Sequence, residues 1–149
     1  MSNHHATLSL HHAVDDEVWS AVNAGLGEFN AAAAPLDEVK PLACCARSAG
    51  GEIIGGVIGR TWGKCCEMLQ LWVADEYRHQ GIGSALVANF HEQGEARGCR
   101  SFYLDTFSFQ APEFYRRLGY EVRWELPGYT QGIVKYVMVR EVPARVPQS

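Results

Sequence analysis

The sequence predicts an α+β fold: a mixed, mostly antiparallel central sheet of about six to seven strands, flanked by helices. Three strand-like segments, residues 42–48, 53–62 and 65–73, follow one another with glycine-containing turns between them, which predicts an antiparallel meander. A helical pattern at residues 81–97 then precedes a strand-like segment at residues 101–106. The 149 residues are enough for one hydrophobic core, so we expect a single domain over residues 1–149.

The N-terminal region carries strand and helix signals of its own. Residues 6–13 are predicted to form a first strand, after which Asp15 or Asp16 is expected to cap a helix. Apolar residues at helical spacing support that helix: Val18, Trp19, Val22 and Leu26. We expect the helix to end between residues 25 and 30, with a boundary at Pro35 because the residue before a proline is disfavoured in helices.

The C-terminal third alternates in the same way. A short helix is predicted at residues 111–118, because a proline stands in its first turn and a glycine directly follows it. Strands are predicted at residues 120–126 and 133–141, on either side of a turn-rich segment. Residues 142–149 contain two prolines and are expected to be a frayed tail.

Composition excludes several classes of protein. Apolar residues make up 47% and charged residues 20% of the chain, and no apolar run approaches the roughly 20 residues that span a bilayer, so we expect no membrane segment. The N-terminus lacks the features of a secretory signal, which predicts a cytoplasmic location. Residues 1–62 carry three basic and seven acidic side chains, leaving ten of each in the remainder. A basic stripe for nucleic acid is therefore not expected.

Cysteines and histidines do not indicate a metal site. The five cysteines are an odd number, and two adjacent pairs lack the spacing of zinc ligands, so free thiols with a role in core packing are expected. Adjacent cysteines on a strand should point to opposite faces. The paired histidines near the N-terminus have no acidic or thiol ligand at matching spacing, and no metal is predicted.

The most informative segment joins the strand at residues 65–73 to the following helix. Glycines at the start of a helix let backbone N–H groups approach an anion, and the helix dipole adds partial positive charge there. The sequence therefore predicts a pyrophosphate site, with Arg78 and neighbouring amides at its rim. The segment consists of Arg78, His79, Gln80, Gly81, Ile82, Gly83 and Ser84.

A dinucleotide-binding fold is an alternative interpretation of the same glycines. Asp105 lies 22 residues after Gly83, about where a ribose-binding carboxylate belongs. Three features argue against a dinucleotide-binding fold. Leu86 occupies the third glycine position, the loop begins well past the strand at residues 65–73, and hairpin turns join the preceding strands.

Two stretches resemble the GNAT superfamily of N-acetyltransferases. Residues 78–83 match its Gln/Arg-x-x-Gly-x-Gly/Ala acetyl-CoA motif, and residues 111–120 look like its second signature, in which a helical tyrosine precedes a Gly-aromatic pair. Together the two stretches span residues 67–120. The resemblance implies a three-layer α/β sandwich and acetyl-CoA as co-substrate.

The resemblance also implies roles for individual residues. A base must free the amine of a proton, and Glu67 is the first choice because histone-modifying members carry a glutamate there; Asp105 or a water chain is the alternative. Backbone amides would polarise the thioester carbonyl, as on the bulged strand of the family. They belong to Leu71, Trp72 and Val73. Tyr115 would protonate the departing thiolate.

Further cofactor contacts are expected in the segment before the short helix. Ser108 stands where many relatives carry an asparagine that touches the cofactor, so that contact is weakened or rerouted here, with Gln110 nearby. Ala111 at the start of the helix is assigned to the cofactor site with it.

Three functions fit these features. The first is transfer of an acetyl group to the amine of a small cationic molecule, which the acidic first half slightly favours. The second is acetylation of a protein lysine or N-terminus, and the third is non-catalytic binding of acyl-CoA. By resemblance, a homodimer through the late strands is also compatible with the sequence.

Overall fold

The computed structural model describes residues 5–143, and the chain divides into two compact units, Met1–Leu36 and Asp37–Ser149. Each unit is described by itself. Among the described helices, none combines the length and the apolar character needed to cross a bilayer.

The N-terminal unit contains one helix, α1, over Asp16–Ala33. As predicted, Asp15 caps it: its carboxylate accepts the N–H of Val18 at 2.8 Å. The predicted strand at residues 6–13 is wrong, because no neighbouring strand pairs with this segment and its side chains are exposed. The predicted end of the helix is also wrong, since alanines with high helix propensity carry it on to Ala33. The boundary at Pro35 is confirmed.

The second unit holds the sheet. Its strands are β1 (Lys40–Arg47), β2 (Ile53–Trp62), β3 (Cys65–Val73), β4 (Ser101–Phe107), β5 (Glu121–Leu126) and β6 (Lys135–Glu141). Its helices are α2 (Ile82–Ala96) and α3 (Pro112–Arg117). The strand order is β1-β2-β3-β4-β6-β5, and only β3 and β4 run parallel, joined through α2. The predicted mixed, mostly antiparallel sheet and its opening meander are confirmed, with six strands.

Helix α2 packs on strands β1 to β3 and covers the core. Gly94 of α2 permits a close approach, since a Cβ there would lie 2.6 Å from the ring of Phe102. Cys66 and Cys99 are buried in this core as free thiols, and burial raises the pKa of Cys66 to about 12. Its neighbour Cys65 is exposed, so the expected alternation of faces is confirmed.

The C-terminal boundary of the sheet lies close to where the tail was predicted to begin. The N–H of Val142 donates to the carbonyl of Arg100 at 2.7 Å, and its side chain packs against the core. The prediction of a frayed tail was therefore wrong at Val142, because this backbone hydrogen bond holds the chain in place beyond the end of β6. Residues 144–149 lie outside the described residues.

A bulge in β3 bends the middle of the sheet. Ile58 of β2 pairs with Gln70 of β3, and the next residue of β2, Gly59, pairs with Met68, so Leu69 is an extra residue on β3. A β-bulge bends its strand and increases the local twist. Gly59 is required opposite it, because a Cβ at this position would lie 2.0 Å from the carbonyl oxygen of Glu67.

We predict that Gly59→Ala lowers the free energy of unfolding by about 3 kcal/mol, because the added methyl overlaps backbone and the ring of Phe90. Gly56→Ala on the same strand is the matched control, since its Cβ would meet the nearest atom at 3.4 Å. Urea denaturation of both variants measures the difference. Equal stability losses would show that the bulge does not depend on a bare Cα at position 59.

Candidate active site

A cleft opens where β3 and β4 separate. The two strands pair in parallel only from Cys65 with Ser101 to Met68 with Leu104. The pairing stops at Leu69, the bulged residue, and beyond it the strands enclose a cleft of about 930 Å³. Because the bulge turns β3 aside at this point, it is the feature that leaves the edge of β3 unpaired.

The unpaired edge of β3 presents backbone groups to this cleft. The N–H of Ala74 donates to the carbonyl of Ile54 on the β2 side at 2.8 Å. Since alternate residues of a strand direct their peptide groups to alternate neighbours, the peptides of Leu71 and Val73 face the cleft. In agreement, Arg78 Nε donates to the carbonyl of Val73 at 3.0 Å. The N–H groups of these two residues are therefore available to a carbonyl oxygen held in the cleft.

The predicted anion loop forms one end of the cleft. After a 3-10 turn at Asp75–Tyr77, His79 and Gly81 adopt left-handed backbone, with φ values of 62° and 81°. Gly81 directly precedes α2. No described residue accepts a hydrogen bond from the N–H groups of residues 79–81, and those of residues 82–84 belong to the first turn of the helix. This end of the cleft is thus rich in unpaired donors.

Arg78 holds this loop in place. Its guanidinium joins the Val73 carbonyl to the carboxylate of Asp75, which lies 2.8 Å from Nη1. The side-chain amide of Gln80 donates to the carbonyl of Glu76 at 3.2 Å, and Gln80 does not line the cleft. Both side chains therefore shape the loop, and the donors it offers are chiefly main-chain N–H groups.

The opposite wall comes from β4 and α3. Three residues predicted for the site, Asp105, Ala111 and Tyr115, line it, and so does Gln110. The Gln110 Oε1 accepts the N–H of Phe107 at 2.8 Å and the hydroxyl of Thr106 at 3.1 Å. Because both hydrogen bonds use the side-chain oxygen, the NH₂ group of Gln110 remains available as a donor.

Tyr115 is half-buried on this wall, and burial raises the pKa of its hydroxyl above the ordinary value. Its hydroxyl bonds to no other residue within the described part of the chain. A tyrosine in this state keeps its proton at physiological pH and has it free to donate. That combination suits a general acid.

Besides Gln80, two predicted residues are not brought to the cleft. Glu67 lies on the paired half of β3, where its carboxylate contacts Arg60 Nη2 at 2.9 Å and accepts the Tyr103 hydroxyl at 3.1 Å. Ser108 faces the loop that leads into β6 instead, since its hydroxyl accepts the N–H of Val134 at 3.0 Å. The register of β3 and the turn after β4, which sequence patterns do not fix, account for both positions.

The remaining predicted residues line the cleft: Trp72, His79, Ile82, Gly83 and Ser84. The prediction for the Trp72 amide is wrong, however, because the alternation that turns Leu71 and Val73 to the cleft directs the Trp72 N–H to β2. Tyr77, Phe109 and Arg117 line the cleft as well, although none of the three was among the predicted site residues. Arg117 lies within the second motif at residues 111–120, and because Arg116 pairs with Glu113, Arg117 is left for the cleft. Phe109 had no signal beyond its place in the turn after β4.

The arrangement of the strands excludes the dinucleotide-binding alternative. That fold places its glycine loop after a strand of a parallel sheet, whereas β3 pairs antiparallel with β2 and is entered from a hairpin. Asp105, the candidate ribose ligand, lies across the same cleft from Leu71 and Val73.

Comparison with known proteins supports one family. The model of the Acetyltransferase (GNAT) family matches residues 11–120. The chain is 35% identical over 111 residues to the blasticidin-S acetyltransferase of Streptomyces morookaense, covering 74% of this chain and 79% of that protein.

Solved structures share the fold. An acetyltransferase from Bacillus cereus superposes with a TM-score of 0.75 at 24% identity, covering 90% of this chain and 98% of that one. A Bacillus anthracis protein solved in complex with acetyl coenzyme A has a TM-score of 0.61 at 18% identity, over 69% of this chain and 63% of that one. With a family model matched over residues 11–120 and a curated relative 35% identical, the chain belongs to the GNAT acetyltransferase family.

Proposed function

We propose that this chain transfers the acetyl group of acetyl-CoA to a primary amine of a small cationic molecule. The observation that carries the proposal is the cleft between β3 and β4, which has unpaired N–H donors at one end and a carboxylate and a protonated tyrosine on its far wall. We further propose a reducing, cytoplasmic setting, which the five free cysteines support.

The donors of the cleft fit acetyl-CoA. Six consecutive N–H groups at residues 79–84 suit its pyrophosphate, since they combine a left-handed turn with the positive end of α2. Arg117 on the opposite wall would meet the ribose phosphate, and the NH₂ of Gln110 would replace the asparagine contact of other family members. The family as a whole uses this co-substrate, and the Bacillus anthracis relative was solved with it.

Acetyl-CoA supplies an acetyl group activated as a thioester. The N–H groups of Leu71 and Val73 would donate to the carbonyl oxygen as negative charge develops on it. Asp105 would accept a proton from the incoming amine, directly or through water, and Tyr115 would give its proton to the leaving sulfur. Glu67 lies outside the cleft and could serve as base only by leaving both Arg60 and Tyr103. Asp105 lines the cleft and has one charged neighbour, Lys135 at 3.5 Å, so it is the stronger candidate.

Two features support a small cationic acceptor. The curated relative is a blasticidin-S acetyltransferase, whose acceptor is a small molecule. The Asp105 side chain is 54% exposed within the cleft and offers a carboxylate to a positively charged group.

Release of free thiol from acetyl-CoA tests the proposal. The panel contains blasticidin S, a polyamine, a lysine-containing peptide and a peptide with a free N-terminus. We expect turnover with at least one small amine and little with the peptides. Turnover with peptides alone would establish a protein acetyltransferase, and acetyl-CoA binding without thiol release from any amine would establish a non-catalytic binding protein.

We predict that Tyr115→Phe lowers kcat about 100-fold, because the leaving sulfur loses its proton donor, and leaves the Kd of acetyl-CoA unchanged within about twofold. Steady-state kinetics and calorimetry measure the two quantities. Tyr103→Phe is the control, since it removes a hydroxyl that bonds only Glu67, and should retain turnover. Full activity in Tyr115→Phe would refute the role of acid.

The two candidate bases can be separated by matched amide variants. We predict that Asp105→Asn lowers kcat/KM for the amine at least about 100-fold at neutral pH, because a carboxylate that can accept a proton is lost. Glu67→Gln should retain activity within about threefold, since its carboxylate lies on the paired half of β3. The reverse result would transfer the role of base to Glu67.

The anion site can be tested by a pair of glycines at the two ends of α2. Gly81 and Gly98 have φ values of 81° and 93°, and a Cβ at either would meet no atom within 4 Å. Alanine should therefore cost similar stability at both, about 1 kcal/mol. We predict that Gly81→Ala raises the Kd of acetyl-CoA about tenfold, whereas Gly98→Ala leaves it unchanged. Equal affinities would contradict phosphate binding at residues 79–84.

A further inference from the structure

Three aromatic rings cluster beside the mouth of the cleft, where the turn after β4 meets the loop between β5 and β6. The rings of Phe107 and Phe109 stack with an interplanar angle of 8° and centroids 5.5 Å apart. The ring of Tyr129 meets Phe107 edge to face at 5.3 Å. We call these three residues the aromatic cluster.

Phe109 is the member of the cluster that faces the cleft. It lines the cleft wall and is 66% exposed, whereas Phe107 is half-buried. One face of its ring is covered by Phe107, and no other described aromatic residue stacks on the second face. The parallel, offset stack with Phe107 favours one plane for the ring, so Phe109 offers a flat apolar surface to a molecule in the cleft.

A carboxylate lies next to the aromatic cluster. Asp105 precedes Phe107 by two residues on β4, so both side chains leave the same face of the strand. Lys135 of β6 links them, since its Nζ lies 3.5 Å from Asp105 Oδ2 and 5.9 Å from the centre of the Phe107 ring. The cleft therefore presents a flat ring and a carboxylate together, on the wall opposite Leu71 and Val73.

We propose that the acceptor carries a planar conjugated ring, which stacks on the free face of Phe109 while its amine lies at Asp105. This inference rests on the proposed acetyl transfer and specifies its substrate class. A solitary exposed phenylalanine would be an ordinary surface residue. Here the ring is held in a stack, lines the cleft and shares the wall with the proposed base, which are the elements that orient a ring-bearing amine.

Binding of two matched amines tests the proposal. The probes are 2-phenylethylamine and 2-cyclohexylethylamine. They carry the same charge and the same ethylamine chain, but the first has a flat ring and the second a puckered one. Their Kd values are measured by calorimetry on the full chain saturated with CoA. We expect 2-phenylethylamine to bind roughly three- to tenfold more tightly.

Three variants test whether the preference for the flat ring depends on Phe109. Phe109→Leu keeps an apolar side chain but removes the flat face, so it should abolish the difference between the two amines. Phe109→Tyr keeps a planar ring and should retain it. Trp124→Leu removes an aromatic residue that is 52% exposed on β5 and does not line the cleft, and it should change neither Kd. Equal binding of both amines to the unmodified chain, binding of neither, or a preference that survives Phe109→Leu would overturn the proposal.

Thiol release with the same two amines separates this inference from the proposed function. A ring preference in binding without thiol release from any amine would contradict acetyl transfer and support stacking on Phe109. Thiol release from both amines with equal kcat/KM and equal Kd would support acetyl transfer and overturn the stacking.

Discussion

One extra residue in β3 determines the geometry of the site. Leu69 interrupts the ladder with β2, and from that residue onward β3 no longer pairs with β4. Without the bulge, the peptide groups of Leu71 and Val73 would be satisfied by a parallel neighbour, and a ligand would find no free donor at this edge. Gly59 makes the bulge sterically possible, because only a residue without a Cβ fits against the carbonyl of Glu67.

The bulge and the anion loop are mechanically connected through Arg78. Its guanidinium bonds the carbonyl of Val73 at the free edge of β3 and pairs with Asp75 in the turn that leads to α2. The main-chain donors of the loop and those of the strand are thus held relative to each other by one side chain. In this account Arg78 positions backbone N–H groups, and a direct contact with phosphate is a secondary contribution.

Much of the fold follows from local sequence. Strands β2 and β3 have their predicted bounds because glycines with left-handed backbone, Gly51 and Gly63, lie in the two hairpin turns. The strand prediction for residues 6–13 was wrong because a strand needs a pairing partner, which the sequence of the segment itself does not specify. Glu67 was placed on the correct strand, but whether a residue lies on the paired or the open side of a bulge depends on register. Phe109 gave no signal because its importance arises from contacts across the turn.

The central claim, that acetyl-CoA is held by main-chain N–H groups of the loop and of the open edge of β3, can be tested directly by nuclear magnetic resonance. The ¹⁵N-labelled chain is titrated with acetyl-CoA, and the chemical shift of each backbone amide is followed. We expect the largest changes at residues 79–84, together with Leu71 and Val73. Saturable binding that leaves these amides unperturbed while shifting others would contradict the account.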